Sequence, residues 1–227
     1  MQDEELRQKI KEIVTDEEVA KQVLMTRELM TCYRCAIMEV ETKFRVLDEK
    51  FSLHGERNPI ESIKSRVKSP ESIAEKLRRK GLAMTPEIVE RELNDVAGVR
   101  VICSFVDDIY TLADWLTGQD DITLLRVKDY IKNPKPNGYR SLHLIIAIPI
   151  FLDDCKRNMK VEVQLRTITM ESWANLEHKL RYKKDLDEEV VAKISKELFE
   201  CSQLCDLLDA KMSHVKSVVS MHEDGDD

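Results

Sequence analysis

Residues 160–167 read KVEVQLRT, and residues 142–151 before them read LHLIIAIPIF. In the later stretch apolar and polar side chains alternate, which is the period of a strand with one buried face. The polar positions of that strand carry a carboxylate, an amide and a guanidinium, from Glu162, Gln164 and Arg166. The segment alone leaves two interpretations open: a solvated sheet face, which is common, or side chains held there for chemistry.

Working outward from this strand, the chain alternates strand and helix signals. The apolar run at 142–151 predicts a central strand, and further strands are predicted within 60–70, 96–106 and 122–131. Helices are predicted over 3–54, with a break near Thr15 and Asp16, and over 69–81, 107–119, 170–183 and 187–218. The order predicts an α+β fold with a mixed, largely antiparallel sheet of about five strands and long terminal helices.

Composition indicates a protein with a substantial core and no membrane span. Of 227 residues, 42% are hydrophobic and 35% are charged, and no apolar run reaches the ~18 residues of a spanning helix. The N-terminal residues are charged throughout and lack the apolar core of a signal peptide, so a cytoplasmic location is expected. Six cysteines are present, and the helical patterns around Cys32 and Cys35 and around Cys201 and Cys205 favour buried or incidental thiols over a redox or zinc site.

Charge is unevenly distributed along the chain. The net charge is −7, yet residues 57–80 carry eight Lys/Arg against three Glu, and residues 126–140 carry five Lys/Arg against one Asp. The segment from 185 onward is strongly acidic. Two basic islands in an acidic protein predict a local polyanionic ligand rather than a long nucleic acid.

Two carboxylates are candidates for a metal site. Asp95 stands where the strand within 96–106 begins, and Gly98 leaves space for a ligand near the backbone. Glu162 lies mid-strand among apolar neighbours. Carboxylates on neighbouring strands would suit Mg²⁺, which binds a few carboxylates together with phosphate oxygens. A turn residue that starts a strand is the ordinary alternative for Asp95.

The two basic islands contain further candidates. Lys76 and Arg79 are three apart on a predicted helix and would share a face, although a run of charge is usually a solvated face. In the loop NPKPNGYRS (133–141), Tyr139 follows two prolines and a glycine and is flanked by Lys135, Arg140 and His143. A tyrosine on a stiff loop could stack on a base or pack on its own loop.

Four ordered motifs carry a family resemblance. They are SRVKSPESIAEKLRRKG (65–81), NDVAGVRVICSFVDDIY (94–110), YIKNPKPNGYRSLHL (130–144) and VEVQLRTITMESWANLEHKL (161–180). Together they resemble the small alarmone synthetases, the stand-alone (p)ppGpp synthetases of the RelA/SpoT type. The resemblance implies a nucleotidyltransferase-like synthetase domain over 58–183, an N-terminal helical region over 1–57, and a C-terminal helix with an acidic tail over 184–227.

The resemblance implies transfer of the pyrophosphate of ATP to the ribose 3′-hydroxyl of GDP or GTP, with Mg²⁺ as cofactor. Asp95 matches the magnesium ligand, and Glu162 matches the carboxylate that approaches the metal and activates the hydroxyl. The residues that match ATP-binding positions are basic: Arg66, Lys68, Lys76, Arg79 and Arg100. Those that match positions around GDP or GTP are Lys128, Lys135, Tyr139, His143, Gln164 and Arg166. Preference among GDP, GTP and GMP stays open.

Several classes of function are disfavoured by what the sequence lacks. There is no GxxxxGK[ST] phosphate loop and no Gly-Ser dipeptide of the polymerase-β type. There is also no His-Asp dipeptide, and about 57 residues precede the synthetase region, so a synthetase without hydrolase activity is expected. A catalytically silent nucleotide- or RNA-binding module is the alternative, and a helical oligomerisation protein is a third interpretation.

The terminal helices carry apolar stripes that predict assembly. The stripes are Val19, Val23, Met30, Ile37, Phe44 and Phe51 in one helix, and Val190, Ile194, Leu198, Leu204 and Leu208 in the other. Burial against other subunits would cover them, and the alternative is that the two helices fold back as an antiparallel pair on their own sheet. The family resemblance favours a homotetramer, with a dimer as the fallback. Some relatives bind pppGpp in a central cleft that raises activity. Ser62 and Glu171 replace an aromatic residue and an asparagine of that cleft, which argues against product activation here.

Overall fold

The computed structural model describes residues 2–53, 57–153, 155–181 and 187–223. The first helix, α1, spans Gln2–Leu53 without the predicted break near Thr15 and Asp16. That prediction was wrong because a new helix can begin at a capping residue only where the preceding helix has ended, and no residue before Thr15 ends it. Neither proline nor glycine occurs in the first 53 residues, so the backbone hydrogen bonds continue through it.

The five strands form one sheet in the order β1-β2-β5-β4-β3. Their bounds are Ile60–Val67 for β1, Ala97–Cys103 for β2, Thr123–Asp129 for β3, Leu142–Phe151 for β4 and Lys156–Thr167 for β5. Only β2 and β5 pair in parallel; the other three pairs are antiparallel. The predicted mixed, largely antiparallel sheet is confirmed.

The middle position of the sheet belongs to β5, not to the apolar β4. β4 has a neighbour on each side, as its apolar run predicts, but one of them is the edge strand β3. β5 is longer than predicted, because residues 156–159 extend the pairing with β4 from Phe151 opposite Lys156 onward. The strand with the polar alternation is therefore the one between β2 and β4.

The remaining helices follow the predicted order with one addition. Their bounds are Pro70–Arg79 for α2, Pro86–Glu92 for α3, Val106–Thr117 for α4, Ile168–Arg181 for α5 and Glu188–Glu223 for α6. The Ser69 side chain caps α2 by accepting a hydrogen bond from the Ser72 amide, and Gly81 follows the helix at φ +67°. The helix α3 is not among the predicted elements, because its seven residues are too short for a periodic signal.

The core lies between α1 and one face of the sheet. Val161, Val163 and Leu165 of β5 are fully buried there, and α1 packs against β1, β2, β4 and β5. Ile37 and Phe44 of the predicted α1 stripe are buried in the same core. These two residues therefore need no second subunit to cover them, contrary to the expectation from the stripe, because α1 packs against four strands of the sheet.

The side chains of Val19 and Val23 lie outside the described part of the structure. In α6 the outcome differs, since Leu198 is buried but Val190, Leu204 and Leu208 are exposed. Among the described residues, no helix is both long and apolar enough to cross a membrane.

Candidate active site

The polar face of β5 is sheltered rather than solvated. The side chain of Glu162 is 13% exposed and that of Arg166 is 5% exposed. Gln164 lies between them, and its Nε2 donates to Glu162 Oε2 at 2.8 Å. The interpretation of this face as an ordinary wet surface is wrong, because charged side chains are held out of water here only through mutual hydrogen bonds.

Asp95 lies just before β2 and binds two lysines through one oxygen. Lys68 Nζ donates to Asp95 Oδ2 at 2.5 Å, and Lys76 Nζ donates to the same atom at 2.6 Å. Burial by itself raises the pKa of Asp95, but the two lysines outweigh it and hold that pKa below its usual value. The other oxygen, Oδ1, is buried and accepts no hydrogen bond from any described residue.

Asp95 and Glu162 line a single cleft in the sheet. Gly98 pairs with Glu162 across the parallel β2–β5 ladder and, with Arg66 and Arg100, lines the same cleft. Asp95 is close enough that its charge opposes ionisation of Glu162. Gly98 therefore keeps the space between the two carboxylates free of a side chain.

The donor set fits Mg²⁺. Asp95 offers a buried, unpaired carboxylate oxygen, and Glu162 supplies a second carboxylate in the same cleft. The described residues contain no cluster of three or more His, Cys, Asp or Glu side chains that could hold a metal ion by themselves. Mg²⁺ suits such a site because it takes most of its ligands from water and from substrate phosphates.

A chain of hydrogen bonds links Glu162 to the loop between β3 and β4. His143 Nδ1 lies 3.2 Å from Glu162 Oε1, and His143 Nε2 lies 2.8 Å from the Tyr139 hydroxyl. Burial lowers the pKa of His143 below its usual value, so the ring is neutral at pH 7. Arg166 Nη2 donates to the Tyr139 oxygen at 2.6 Å, so that hydroxyl donates to His143, which in turn donates to Glu162.

These hydrogen bonds decide the ionisation of Glu162. Burial alone raises the pKa of this carboxyl, but hydrogen bonds from His143 and Gln164 bring it below its usual value. Glu162 is therefore a carboxylate at pH 7, with one oxygen bound by His143 and the other by Gln164. A carboxylate held in one orientation is suited to accept a proton from a nearby hydroxyl.

Tyr139 lies among aromatic and basic side chains. Lys135 Nζ lies 4.7 Å from the centre of its ring, and Arg166 Cζ lies 5.1 Å from it. Tyr130, which no sequence pattern marks as a site residue, meets the Tyr139 ring edge-on at 5.9 Å and also contacts the His143 ring. Lys128 pairs with His143 across the β3–β4 ladder. A base that stacks on Tyr139 would displace the exposed Lys135 from the ring.

Glu171 binds one arginine from β2 and one from β5, and the sequence did not predict these contacts. Its Oε1 accepts from Arg100 Nη1 at 3.1 Å, and its Oε2 accepts from Arg166 Nη1 at 2.8 Å. Lys64 approaches at 3.4 Å. The only sequence signal is an acid in the first turn of α5, five residues after Arg166. Glu171 therefore binds cations of its own chain in this structure, and the expectation that it argues against product activation stays a prediction.

Two basic residues lie away from these contacts. Arg79 is 68% exposed and its ion pair is with Glu75, whereas Lys76 on the same helix reaches Asp95. The two side chains lie three positions apart and so share a helix face, but only Lys76 contacts a site residue in this structure, and a role for Arg79 stays a prediction. Arg140, next to Tyr139, pairs with Asp206 of α6 instead of facing the cleft.

Comparison with known proteins gives three consistent matches. Residues 65–187 match the family described as a region found in RelA/SpoT proteins. The GTP pyrophosphokinase YwaC of Bacillus subtilis is 46% identical over 187 residues, which are 82% of this chain and 88% of that protein. The GTP pyrophosphokinase YjbM of the same organism is 35% identical over 82% of this chain and 86% of its own length.

Solved structures agree with the sequence matches. The crystal structure of small alarmone synthetase 2 from Bacillus subtilis superposes with a TM-score of 0.73 at 43% identity, covering 83% of this chain and 96% of that one. Small alarmone synthetase 1 from the same organism, bound to its product pppGpp, gives a TM-score of 0.77 at 33% identity, covering 86% and 97%.

Proposed function

The chain belongs to the RelA/SpoT family, and from that premise we propose that it transfers the pyrophosphate of ATP to the ribose 3′-hydroxyl of GDP or GTP. The observation that carries the proposal is the cleft shared by Asp95 and Glu162. One carboxylate keeps a buried free oxygen for a metal ion, and the other is ionised and oriented for proton abstraction. The matched relatives are GTP pyrophosphokinases and alarmone synthetases by name.

In this proposal the donor nucleotide lies along β1, α2 and β2. Arg66 and Arg100 line the cleft and would hold the adenine, since guanidinium groups stack on planar rings. Lys68 and Lys76 would contact the ATP phosphates while still neutralising Asp95. Arg79 would join them only after its exposed side chain leaves Glu75. Mg²⁺, held by Asp95 with Glu162 close by, would neutralise charge on the transferred group.

The acceptor lies on the other side of Glu162. Tyr139 would stack on the guanine, and Lys128 and Lys135 would meet the phosphates of GDP or GTP. Glu162 would take the proton of the 3′-hydroxyl, while His143 and Gln164 keep its carboxylate in place. Arg166 would hold the Tyr139 hydroxyl. Such a reaction depends mainly on in-line positioning and charge neutralisation, which these side chains supply.

An assay of purified protein with ATP, Mg²⁺ and each of GDP, GTP and GMP tests the proposal directly. Chromatographic separation of the nucleotides should show AMP and a 3′-pyrophosphorylated guanine nucleotide in equal amounts. Chelation of Mg²⁺ should stop the formation of both products. Added pppGpp should not be hydrolysed, as expected for a synthetase without hydrolase activity. Nucleotide or RNA binding without AMP formation would instead support the silent binding module.

Tyr139→Ala should weaken the guanine acceptor far more than ATP. Loss of one stacked base costs roughly 1–3 kcal/mol, or about five- to 150-fold in affinity. Calorimetric titration of the variant with GDP and, separately, with a non-hydrolysable ATP analogue provides the measurement. Because the Tyr139 hydroxyl also binds His143 and Arg166, Tyr139→Phe is the control that keeps the ring and removes only those bonds. Equal loss of both nucleotides would assign Tyr139 a structural role only.

We also propose that the chain assembles as a homotetramer, with a dimer as the simpler outcome. The support is the apolar surface of α6, where Leu204, Leu207, Leu208, Met212 and Val215 are exposed. Soluble monomers rarely leave such a surface uncovered. Light scattering at micromolar concentration should give a mass near four times 26.4 kDa. A monomer mass that nucleotides do not change would refute assembly, and the same experiment with pppGpp and activity readout would test the expected lack of product activation.

A further inference from the structure

One face of α6 packs against the loop that carries Tyr139. Ser202 Oγ donates to the backbone oxygen of Gly138 at 2.5 Å, and Ser202 is only 6% exposed. Four residues later, Asp206 forms an ion pair with Arg140 at 2.5 Å. Gly138 and Arg140 are the two sequence neighbours of Tyr139, so both sides of this tyrosine are attached to α6.

The contact at Gly138 is too close for any other residue. Its φ of +89° is a conformation that side chains disfavour. A Cβ added at this position would lie 2.6 Å from the Cβ of Ser202. The glycine therefore serves both the turn and the close approach of the loop backbone to the helix.

The same helix face continues to the end of β5. Asp209 Oδ2 accepts from Thr167 Oγ1 at 2.9 Å and from Thr169 Oγ1 at 2.7 Å. Thr167 is the last residue of β5, the strand that carries Glu162. At the other end, Trp173 Nε1 donates to the backbone oxygen of Leu198 at 2.8 Å. The α6 positions that make these contacts are 198, 202, 206 and 209, which share one helix face.

From these contacts we propose that α6 is a positioning element of the acceptor subsite. Ser202 binds the backbone oxygen of Gly138, Asp206 holds the side chain of Arg140, and Asp209 binds the last residue of the strand that carries Glu162. They would set the distance between the stacked guanine and Glu162 without touching the substrate. The inference rests on the proposed function, because it takes the Tyr139 loop as the place where the guanine nucleotide binds.

Two variants test the proposal, Ser202→Ala and Asp206→Asn. Each removes one hydrogen bond or ion pair to the loop, so KM for the guanine nucleotide should rise roughly three- to tenfold. KM for ATP should stay within about twofold of its original value, because no described contact of α6 reaches Arg66, Lys68 or Lys76. The Asp206 side chain is 59% exposed, so its replacement leaves the core intact if the buried Ser202 proves necessary for folding.

A matched control on the same helix is Glu200→Gln. Glu200 is 53% exposed, and its side chain pairs with Lys196 at 4.0 Å instead of with the loop. This variant should leave both KM values unchanged. If Ser202→Ala and Asp206→Asn change neither KM, or change both equally, the proposal is overturned.

Hydrogen exchange gives a readout that needs no turnover. The Gly138 amide donates to Lys135 O at 2.8 Å, and the Lys135 amide donates to Tyr139 O at 3.1 Å. Both amides should exchange faster in Ser202→Ala and Asp206→Asn than in the wild type or in Glu200→Gln, and unchanged exchange would overturn the positioning role. Absence of pyrophosphate transfer by the wild-type protein would refute the proposed function, while the comparison of loop exchange would still test the attachment to α6.

Discussion

Glu162→Gln lowers turnover by at least about 10², the usual cost of a lost general base. Glutamine keeps the shape and one carbonyl oxygen, so the fold and most nucleotide binding should persist. It loses the negative charge that accepts the proton of the 3′-hydroxyl. The His143 ring would keep a partner at the remaining oxygen, so the neighbouring hydrogen bonds need not collapse.

Single-turnover measurement with saturating ATP and GDP tests this prediction, accompanied by calorimetry to show that both nucleotides still bind. Glu49→Gln is the matched control, because Glu49 is an exposed residue of α1, which packs on the opposite face of the sheet. Turnover of Glu162→Gln close to that of the control would exclude the catalytic role of Glu162.

Asp95→Asn is expected to reduce turnover by about 10² or more. A bound metal ion supplies several kcal/mol of stabilisation to the transition state, and each 1.36 kcal/mol is tenfold in rate. Asparagine leaves a neutral oxygen where the buried Oδ1 now lies without a partner. The Mg²⁺ concentration for half-maximal activity should therefore rise along with the loss of rate.

A magnesium titration of activity, supported by thermal unfolding, separates these effects. Lys68 and Lys76 lose their shared anionic partner in this variant, so some loss of stability is expected as well. Asp114→Asn, an exposed position on α4, controls for the change of residue type. An unchanged magnesium dependence in folded Asp95→Asn would refute the metal site at this residue.

The sequence alone determined the elements that depend on local patterns. The caps and Gly81 delimit α2, the β-branched run specifies β2, and the alternation at 161–166 specifies the two faces of β5. These predictions succeeded because backbone preferences and hydrophobic periodicity act over a few residues. The four ordered motifs also predicted the family, which the comparisons confirm.

Local patterns failed to predict contacts between segments that are far apart in the chain. The apolar stripe of α1 was expected to pack against another subunit, yet the sheet of the same chain buries Ile37 and Phe44. Glu171 was judged only by comparison with other sequences, although Arg100 from β2 and Arg166 from β5 both bind it. Neither outcome follows from neighbours in sequence, because strand order brings these residues together.

The tertiary structure also decided what each polar side chain does. Sequence supplied the carboxylates Asp95 and Glu162, but only the parallel pairing of β2 with β5 places them in one cleft beside Gly98. Sequence likewise supplied Tyr139 on a stiff loop, but only the packing of α6 turns Arg140 away from the cleft and toward Asp206. The physical reason is the distance along the chain over which each effect acts. Periodicity and capping depend on residues a few positions apart. The ionisation and orientation of a buried charged side chain depend on the segments that surround it, which are often far apart in the chain.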